Sequence, residues 1–205
     1  MFMRKAVRMR KVRAFAIGFS ILLMSCAGSD RYNKPRSEPD GFGGIKWQAE
    51  ISTLKDMERV TQGKSSDADV AWYMRKGDTL AIGKAKLEKI FYSFWMGNFE
   101  SVWIDFKGDE NFEALKKELF QRYGKAFESE ELVKKMGKGV EREPSAIAHS
   151  EQFYAWWGKN ADISLSYSKG RHTGTLCINS KTMTDERRTY EKQKEKERRS
   201  KEEGS

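Results

Sequence analysis

Few side chains in this chain of 205 residues are suited to nucleophilic or metal chemistry, since it holds two cysteines and two histidines. Cys177 lies in the strand-like stretch GTLCINS, and we expect it to be a buried apolar residue without a disulfide. A nucleophilic cysteine needs a base, and no residue is placed to suggest one for Cys177. His149 and His172 lie in turn-like contexts, and zinc would need further cysteine or histidine ligands at suitable spacing.

Motifs for other chemistry are equally scarce. No phosphate-binding loop, nucleophile elbow or paired-carboxylate motif occurs in the sequence. We therefore expect no metal, no cofactor and no enzymatic activity. The alternative is a carboxylate pair that acts without a sequence signal, because acidic residues are plentiful.

The other cysteine, Cys26, closes the apolar run AFAIGFSILLMSC, which begins at Ala14. Six basic residues precede this run, and no acidic residue occurs before Asp30. A basic start, a short apolar core and small residues near a cleavage point are typical of a secretory signal peptide. The run is shorter than the roughly 20 residues that cross a bilayer, so we expect no permanent transmembrane anchor.

The stretch Leu23-Met24-Ser25-Cys26 resembles the lipobox of bacterial membrane lipoproteins, with leucine three positions before the cysteine and a small residue directly before it. The resemblance implies that residues 1–25 are removed and that Cys26 carries a diacylglyceryl group and an acylated amino group, such as palmitate. Two or three acyl chains hold a protein stably on a membrane. Ala27, in place of an aspartate, implies the periplasmic face of the outer membrane in a Gram-negative source. An ordinary cleaved signal with a chance cysteine is the alternative.

The formal net charge of +9 invites a nucleic-acid partner, but residues 1–25 carry six of the basic side chains. The remaining 33 basic and 30 acidic residues leave a net charge of +3, so we expect no nucleic-acid partner.

The sequence divides the chain into segments of different character. We expect residues 26–41 to hold the lipidated cysteine and a flexible tether, because turn-forming residues dominate this segment. Residues 42–183 predict one folded domain, and the charged residues 184–205, which lack an apolar stripe, predict a solvated helix or disorder.

The hydrophobic pattern predicts six strands in the domain, at residues 72–75, 89–95, 99–106, 152–157, 162–168 and 174–180. One clear helix follows Gly108, with Asp109 as its cap and Gly124 as its stop. The helix carries an apolar stripe that must pack on a sheet, made of Phe112, Leu115, Leu119 and Tyr123. We therefore predict an α+β fold, an antiparallel sheet of hairpins with one main helix packed on one face.

The two central hairpins align at an offset of 61, which places Tyr92 on Phe153 and Phe106 on Tyr167. Either an internal duplication or the pattern common to hairpins accounts for the match. The stretches GFGGIKW, FYSFWMGNFESVWIDF and YGKAF resemble domains of uncharacterised secreted bacterial proteins. That resemblance implies no active residues.

Four tryptophans are candidate contacts to a partner: Trp95, Trp103, Trp156 and Trp157. Trp103 alternates with Val102 and Ile104, so we expect it on the sheet face away from the helix. Exposed aromatic residues mark contact surfaces, whereas a second layer such as residues 46–62 would cover them. The sequence favours a lipid-anchored cell-envelope protein with a non-catalytic domain that binds a protein or an envelope polymer. An envelope hydrolase with an unsignalled carboxylate site is the alternative.

Overall fold

The computed structural model describes residues 37–60, 69–128 and 152–203. Its strands are β1 (Gly41–Phe42), β2 (Ile45–Lys46), β3 (Met57–Val60), β4 (Val70–Arg75), β5 (Ala81–Ile82), β6 (Ala85–Lys86), β7 (Lys89–Trp95), β8 (Asn98–Lys107), β9 (Phe127–Glu128), β10 (Gln152–Trp157), β11 (Ala161–Ser168) and β12 (Thr173–Ser180). The helices are α1 (Asp109–Tyr123) and α2 (Lys181–Glu203), and a 3-10 turn spans Ile51–Thr53.

Eight of these strands form one antiparallel sheet in the order β3-β4-β7-β8-β12-β11-β10-β9. The remaining four form two short hairpins, β1 with β2 and β5 with β6. Both helices pack against the large sheet, so the predicted α+β fold is confirmed. All six predicted strands are present, and four of them are longer than predicted by one or two residues at an end, as hydrogen-bond assignments commonly vary.

The core lies between α1 and the sheet. The predicted stripe on α1 is buried, and Leu115 at its centre is completely inaccessible to solvent. It packs on strand residues that alternate toward it, as half-buried strands require: Tyr92, Phe94, Val102, Ile104, Phe106, Ile163, Leu165, Tyr167, Leu176 and Ile178. Aromatic rings dominate this layer, and the Phe112 and Tyr167 rings stack with centroids 4.4 Å apart.

The helix α1 ends as predicted and begins differently. Gly124 has φ +82°, and its amide donates to the carbonyl of Phe120 at 3.0 Å. The predicted capping role of Asp109 is wrong, because Gly108 occupies the cap position and no side chain caps the helix. Asp109 is the first helical residue, and its carboxylate bonds to other elements instead.

The hairpin that joins β7 to β8 turns on Met96 and Gly97, whose φ angles are both positive (+48° and +83°). Asn98 is already paired with Trp95 in the ladder. A left-handed methionine is uncommon, and the flanking strands impose it here.

The pairing register bears on the alignment of the two hairpins at an offset of 61. Tyr92 pairs with Val102 and faces α1, whereas Phe153 pairs with Ser166 and faces away from it. The second strands agree, because Val102 and Ile163 both face α1. The residues that the alignment matches in the first strands, such as Tyr92 and Phe153, therefore lie on opposite faces of the sheet. A shift of the register by one residue would bring them to the same face.

The helix α2 differs from the solvated tail that the sequence predicts. A stripe on its first half meets the sheet: Met183, Arg187, Tyr190 and Lys194 follow helical spacing. Met183 is 2% exposed, and the Tyr190 ring packs edge-on against Trp95 with centroids 5.8 Å apart. The prediction missed this stripe because two of its members are cations, which pair with Glu100 and Asp69.

The segment before β3 packs on the α1 side of the sheet. The indole of Trp47 donates to the carbonyl of Pro39 at 2.8 Å, so Pro39 belongs to the folded part and not to a flexible tether. The ring of Trp47 packs on Phe99, on the α1 side of the sheet. The described part of residues 46–62 therefore does not form the second layer over Trp103 that was the alternative to an exposed face.

Candidate functional site

Trp103 lies on the sheet face opposite α1, here called the outer face. Its neighbours across the strands are Phe91 on β7 and Cys177 on β12. Trp103 is 38% exposed, so the prediction that it points away from α1 is confirmed. The ring of Trp72 packs edge-on against it, with centroids 5.4 Å apart and an interplanar angle of 78°. Trp72 is itself buried, which gives the exposed ring a fixed support.

Two of the other three candidate tryptophans are buried in this fold. Trp156 is fully buried, because its pairing with Ile163 turns it toward α1, and its indole donates to the carbonyl of Gly124 at 2.9 Å. Trp95 is on the outer face but only 8% exposed, since α2 covers it. Trp157 is half-buried beside Phe127, with ring centroids 5.0 Å apart. The structure therefore does not bring the four tryptophans together.

Next to Trp103, the outer face forms a polar cleft of about 390 Å³ at the end of β8, β11 and β12. In the ladder, Thr175 lies between Asp105 and Ser166, and Thr173 lies between Lys107 and Ser168. These six side chains share one face, because alternate residues of a strand point the same way. Glu88, Arg171, Phe106, Tyr167 and Gly174 complete the lining. The threonine hydroxyl of Thr175 donates to the Asp105 carboxylate at 3.2 Å.

The turn between β11 and β12 holds Arg171 at the rim of the cleft. The backbone amide of Gly108 donates to the carbonyl of His172 at 2.8 Å, which ties the turn to the start of α1. The Asp109 carboxylate accepts a hydrogen bond from the hydroxyl of Tyr167, and the same oxygen lies 3.3 Å from Nδ1 of His172. The Tyr167 hydrogen bond, followed by that of His172, lowers the pKa of Asp109 below its ordinary value.

Gly174 forms part of the floor of the cleft, where two layers approach closely. A Cβ atom there would lie 2.2 Å from the ring of Phe106 and 2.5 Å from the carbonyl oxygen of Ser166. No larger residue fits without moving the ring or the neighbouring strand. The Phe106 ring is thus in close contact with the backbone of Gly174, and this close packing makes the floor of the cleft rigid.

Cys177 does not have the predicted burial. It is half-buried and lies on the outer face beside Trp103, because Leu176 and Ile178 on either side of it point toward α1. His172 is exposed in its turn, as its context predicts. The lipidation residue Cys26 and the histidine His149 lie outside the described residues.

Several chemical possibilities can be compared with this geometry. Among the described residues, no group of three or more His, Cys, Asp or Glu side chains is arranged to hold a metal ion. Within the same ranges, no helix is long and apolar enough to cross a membrane.

A scan against protein-family models gave no match, and searches of curated proteins and of solved structures gave none either.

The residues of the polar cleft were not predicted from the sequence. One indication of them was present in the alternation of DISLSYS, which places Ser166 and Ser168 on the face opposite Leu165 and Tyr167. The pattern of a single strand does not indicate which strands lie beside it in the sheet. Only the pairing of β12 between β8 and β11 sets the two threonines beside Asp105 and Lys107.

Proposed function

We propose that this chain is a lipid-anchored cell-envelope protein with a non-catalytic domain that binds a protein or an envelope polymer. The stretch ending at Cys26 supports the anchor, and Ala27 supports the periplasmic face of the outer membrane in a Gram-negative source. The observation that carries the binding role is the exposure of Trp103 on the outer face, directly beside the polar cleft.

The support of Trp103 favours binding because a fixed ring loses little conformational freedom when a partner covers it. Its edge-on contact with buried Trp72 restricts the ring before any partner arrives. Partly exposed tryptophans that become desolvated in a complex are typical hot spots, and their loss costs about 2 kcal/mol or more of binding free energy. Trp103 is thus the residue through which the proposal is tested.

Lipidation is tested with a clickable fatty acid fed to cells that express the full chain. Cys26→Ala should abolish labelling and leave an unprocessed chain, because the thiol that receives the diacylglyceryl group is absent. Cys177→Ala is the matched control and should label like the wild type. Equal labelling of wild type and Cys26→Ala would contradict the anchor.

Binding is tested by proximity labelling in intact envelopes with the full chain. Trp103→Ala should lose neighbours that the wild type labels. Met96→Ala should keep them, because Met96 is also exposed (45%) but lies in the turn between β7 and β8. Identical sets of neighbours for all three proteins would contradict a role of Trp103 in binding.

One observation favours the alternative of an envelope hydrolase: Glu88 and Asp105 line the same cleft. Two carboxylates flanking a bond are the usual machinery of glycoside hydrolysis. Incubation of the purified full chain with peptidoglycan sacculi decides between the two functions. Release of soluble fragments that Glu88→Gln and Asp105→Asn both abolish would replace the binding proposal by the hydrolase.

A further inference from the structure

The outer face changes character along its strands. The helix α2 covers it at Trp95, the last residue of β7, whereas the polar cleft lies at the opposite end, where Lys89 pairs with Asp105. Trp103 lies between these two regions and two residues from Asp105 on β8. Two residues of a strand span about 7 Å, so the ring and the cleft form one continuous surface.

The groups in the cleft are those that bind polyhydroxylated ligands. Four hydroxyls, from Ser166, Ser168, Thr173 and Thr175, occupy adjacent positions on two paired strands. A hydroxyl both donates and accepts hydrogen bonds, as those of a sugar do. The Ser166 and Thr175 hydroxyls already donate to the Thr175 carbonyl and the Asp105 carboxylate, and they keep the capacity to accept a hydrogen bond from a ligand. Carboxylates and cations flank these hydroxyls. A hydrogen bond from a neutral ligand to a charged group is stronger than one between two neutral groups.

The surface differs from a typical protein–protein interface. Such an interface buries about 800 Å² on each partner around an apolar, charge-depleted centre. Within residues 37–60, 69–128 and 152–203, the exposed large apolar side chains are Leu80, Met96 and Trp103. Leu80 and Met96 lie in connections between strands, so within these ranges Trp103 is the large apolar side chain that the outer face exposes, while its apolar neighbours Phe91 and Trp72 are buried.

We infer that the partner is a glycan, with one sugar ring packed on Trp103 and the next held by hydrogen bonds in the polar cleft. This inference rests on the proposed function and names its ligand class. The face of an indole carries partial negative charge, which suits the C–H groups on the apolar face of a sugar ring. The cleft of about 390 Å³ falls within the range of small-ligand sites, roughly 300–1,000 Å³.

The test uses the full chain purified in detergent and two glycan probes. Cosedimentation with peptidoglycan sacculi tests a cell-wall source, and calorimetric titration with lipid-free O-polysaccharide tests a lipopolysaccharide source. Besides Trp103→Ala, the variants are Arg171→Ala and Lys107→Ala, whose side chains are exposed at the cleft and contribute nothing to the core. Met96→Ala is the matched control.

We expect the wild type and Met96→Ala to bind at least one probe. Trp103→Ala and Arg171→Ala should each weaken that binding about tenfold or more, and Lys107→Ala should weaken it in the same direction. Binding to sacculi alone or to O-polysaccharide alone supports the inference and identifies the source.

Three results would overturn the glycan inference. The wild type could bind neither probe, or all variants could bind equally well. Alternatively, Trp103→Ala alone could lose binding while both cleft variants keep it, which would remove the cleft from the site. If glycan binding fails but Trp103→Ala still loses its neighbours in intact envelopes, the proposed function stands with a protein partner.

Discussion

The two faces of the sheet show how one set of strands serves two purposes. On the face toward α1, Val102, Ile104 and Phe106 are at most 2% exposed. The alternate residues of β8 lie on the outer face, where Trp103 is 38% exposed and Asp105 lines a cleft. The face toward α1 is therefore the main core, whereas the outer face combines buried residues such as Trp72 and Trp95 with accessible ones near the cleft.

The outer face is itself divided by α2. Arg187 donates to the Glu100 carboxylate at 2.9 Å, and that carboxylate is 4% exposed. Lys194 lies 3.2 Å from Asp69, two turns further along the helix. Ionic contacts thus join α2 to the rest of the fold in addition to the apolar contacts of Met183 and Tyr190. The comparison of the faces predicts large effects in the core, intermediate effects under α2 and small effects near the cleft.

The largest effect is expected for Trp156→Ala. Trp156 is fully buried against Phe120 and Tyr123, so its loss should lower the free energy of unfolding by about 3–5 kcal/mol. Trp156→Phe keeps much of the packing but loses the hydrogen bond to Gly124, and it should cost less than Trp156→Ala. Denaturant unfolding of the full chain measures both. A loss below about 1 kcal/mol for Trp156→Ala would contradict the core assignment.

Arg187→Ala should have an intermediate effect. It removes a charged hydrogen bond from the buried Glu100 carboxylate, and such bonds contribute about 1.5–3 kcal/mol. Arg188→Ala is the matched control, because Arg188 is exposed and its contact to Asp185 is 3.8 Å long within the same helix. We expect the unfolding midpoint to fall clearly for Arg187→Ala only. Equal midpoints for the two variants would mean that α2 is not held by this ion pair.

Trp103→Ala should change stability by about 1 kcal/mol, because it loses the edge-on contact to Trp72 but little buried area. Met96→Ala, at an exposed position in a turn, should stay within about 0.5 kcal/mol of the wild type. Both values come from the same denaturant unfolding. A loss of 3–5 kcal/mol for Trp103→Ala would place this residue in the core and remove the contact surface.

The elements of the fold could be predicted from local sequence because each has a strong periodic signal. The alternation in FESVWIDF assigned Val102, Trp103 and Ile104 to the correct faces, and the stripe from Phe112 to Tyr123 located α1. The same alternation also places Cys177 on the face opposite Leu176 and Ile178. Its burial was nevertheless predicted, because both of these neighbours are apolar.

The candidate site could not be predicted because it depends on which strands are neighbours. β12 pairs with β8, which is more than sixty residues earlier in the chain, and no local pattern encodes that pairing. The stripe of α2 was missed for a related reason. Arg187 and Lys194 count as solvated charges until the sheet supplies Glu100 and Asp69 as partners.

The smallest effect concerns the turn that carries Arg171 to the cleft. The pKa of Asp109 is lowered in the folded state, chiefly by the Tyr167 hydrogen bond. A carboxylate of this kind stabilises the fold at pH values above its ordinary pKa, and the contribution disappears as the pH falls through the lowered value. Asp109→Asn should therefore be less stable than the wild type at neutral pH, with a difference that shrinks as the pH falls below about 4. Tyr167→Phe should flatten the pH dependence in the same way, because it removes the group that lowers the pKa. Thermal unfolding of the full chain from pH 7 to pH 2 measures both variants. A difference between wild type and Asp109→Asn that stays constant across this range would show that Asp109 does not link the turn to α1 through its charge.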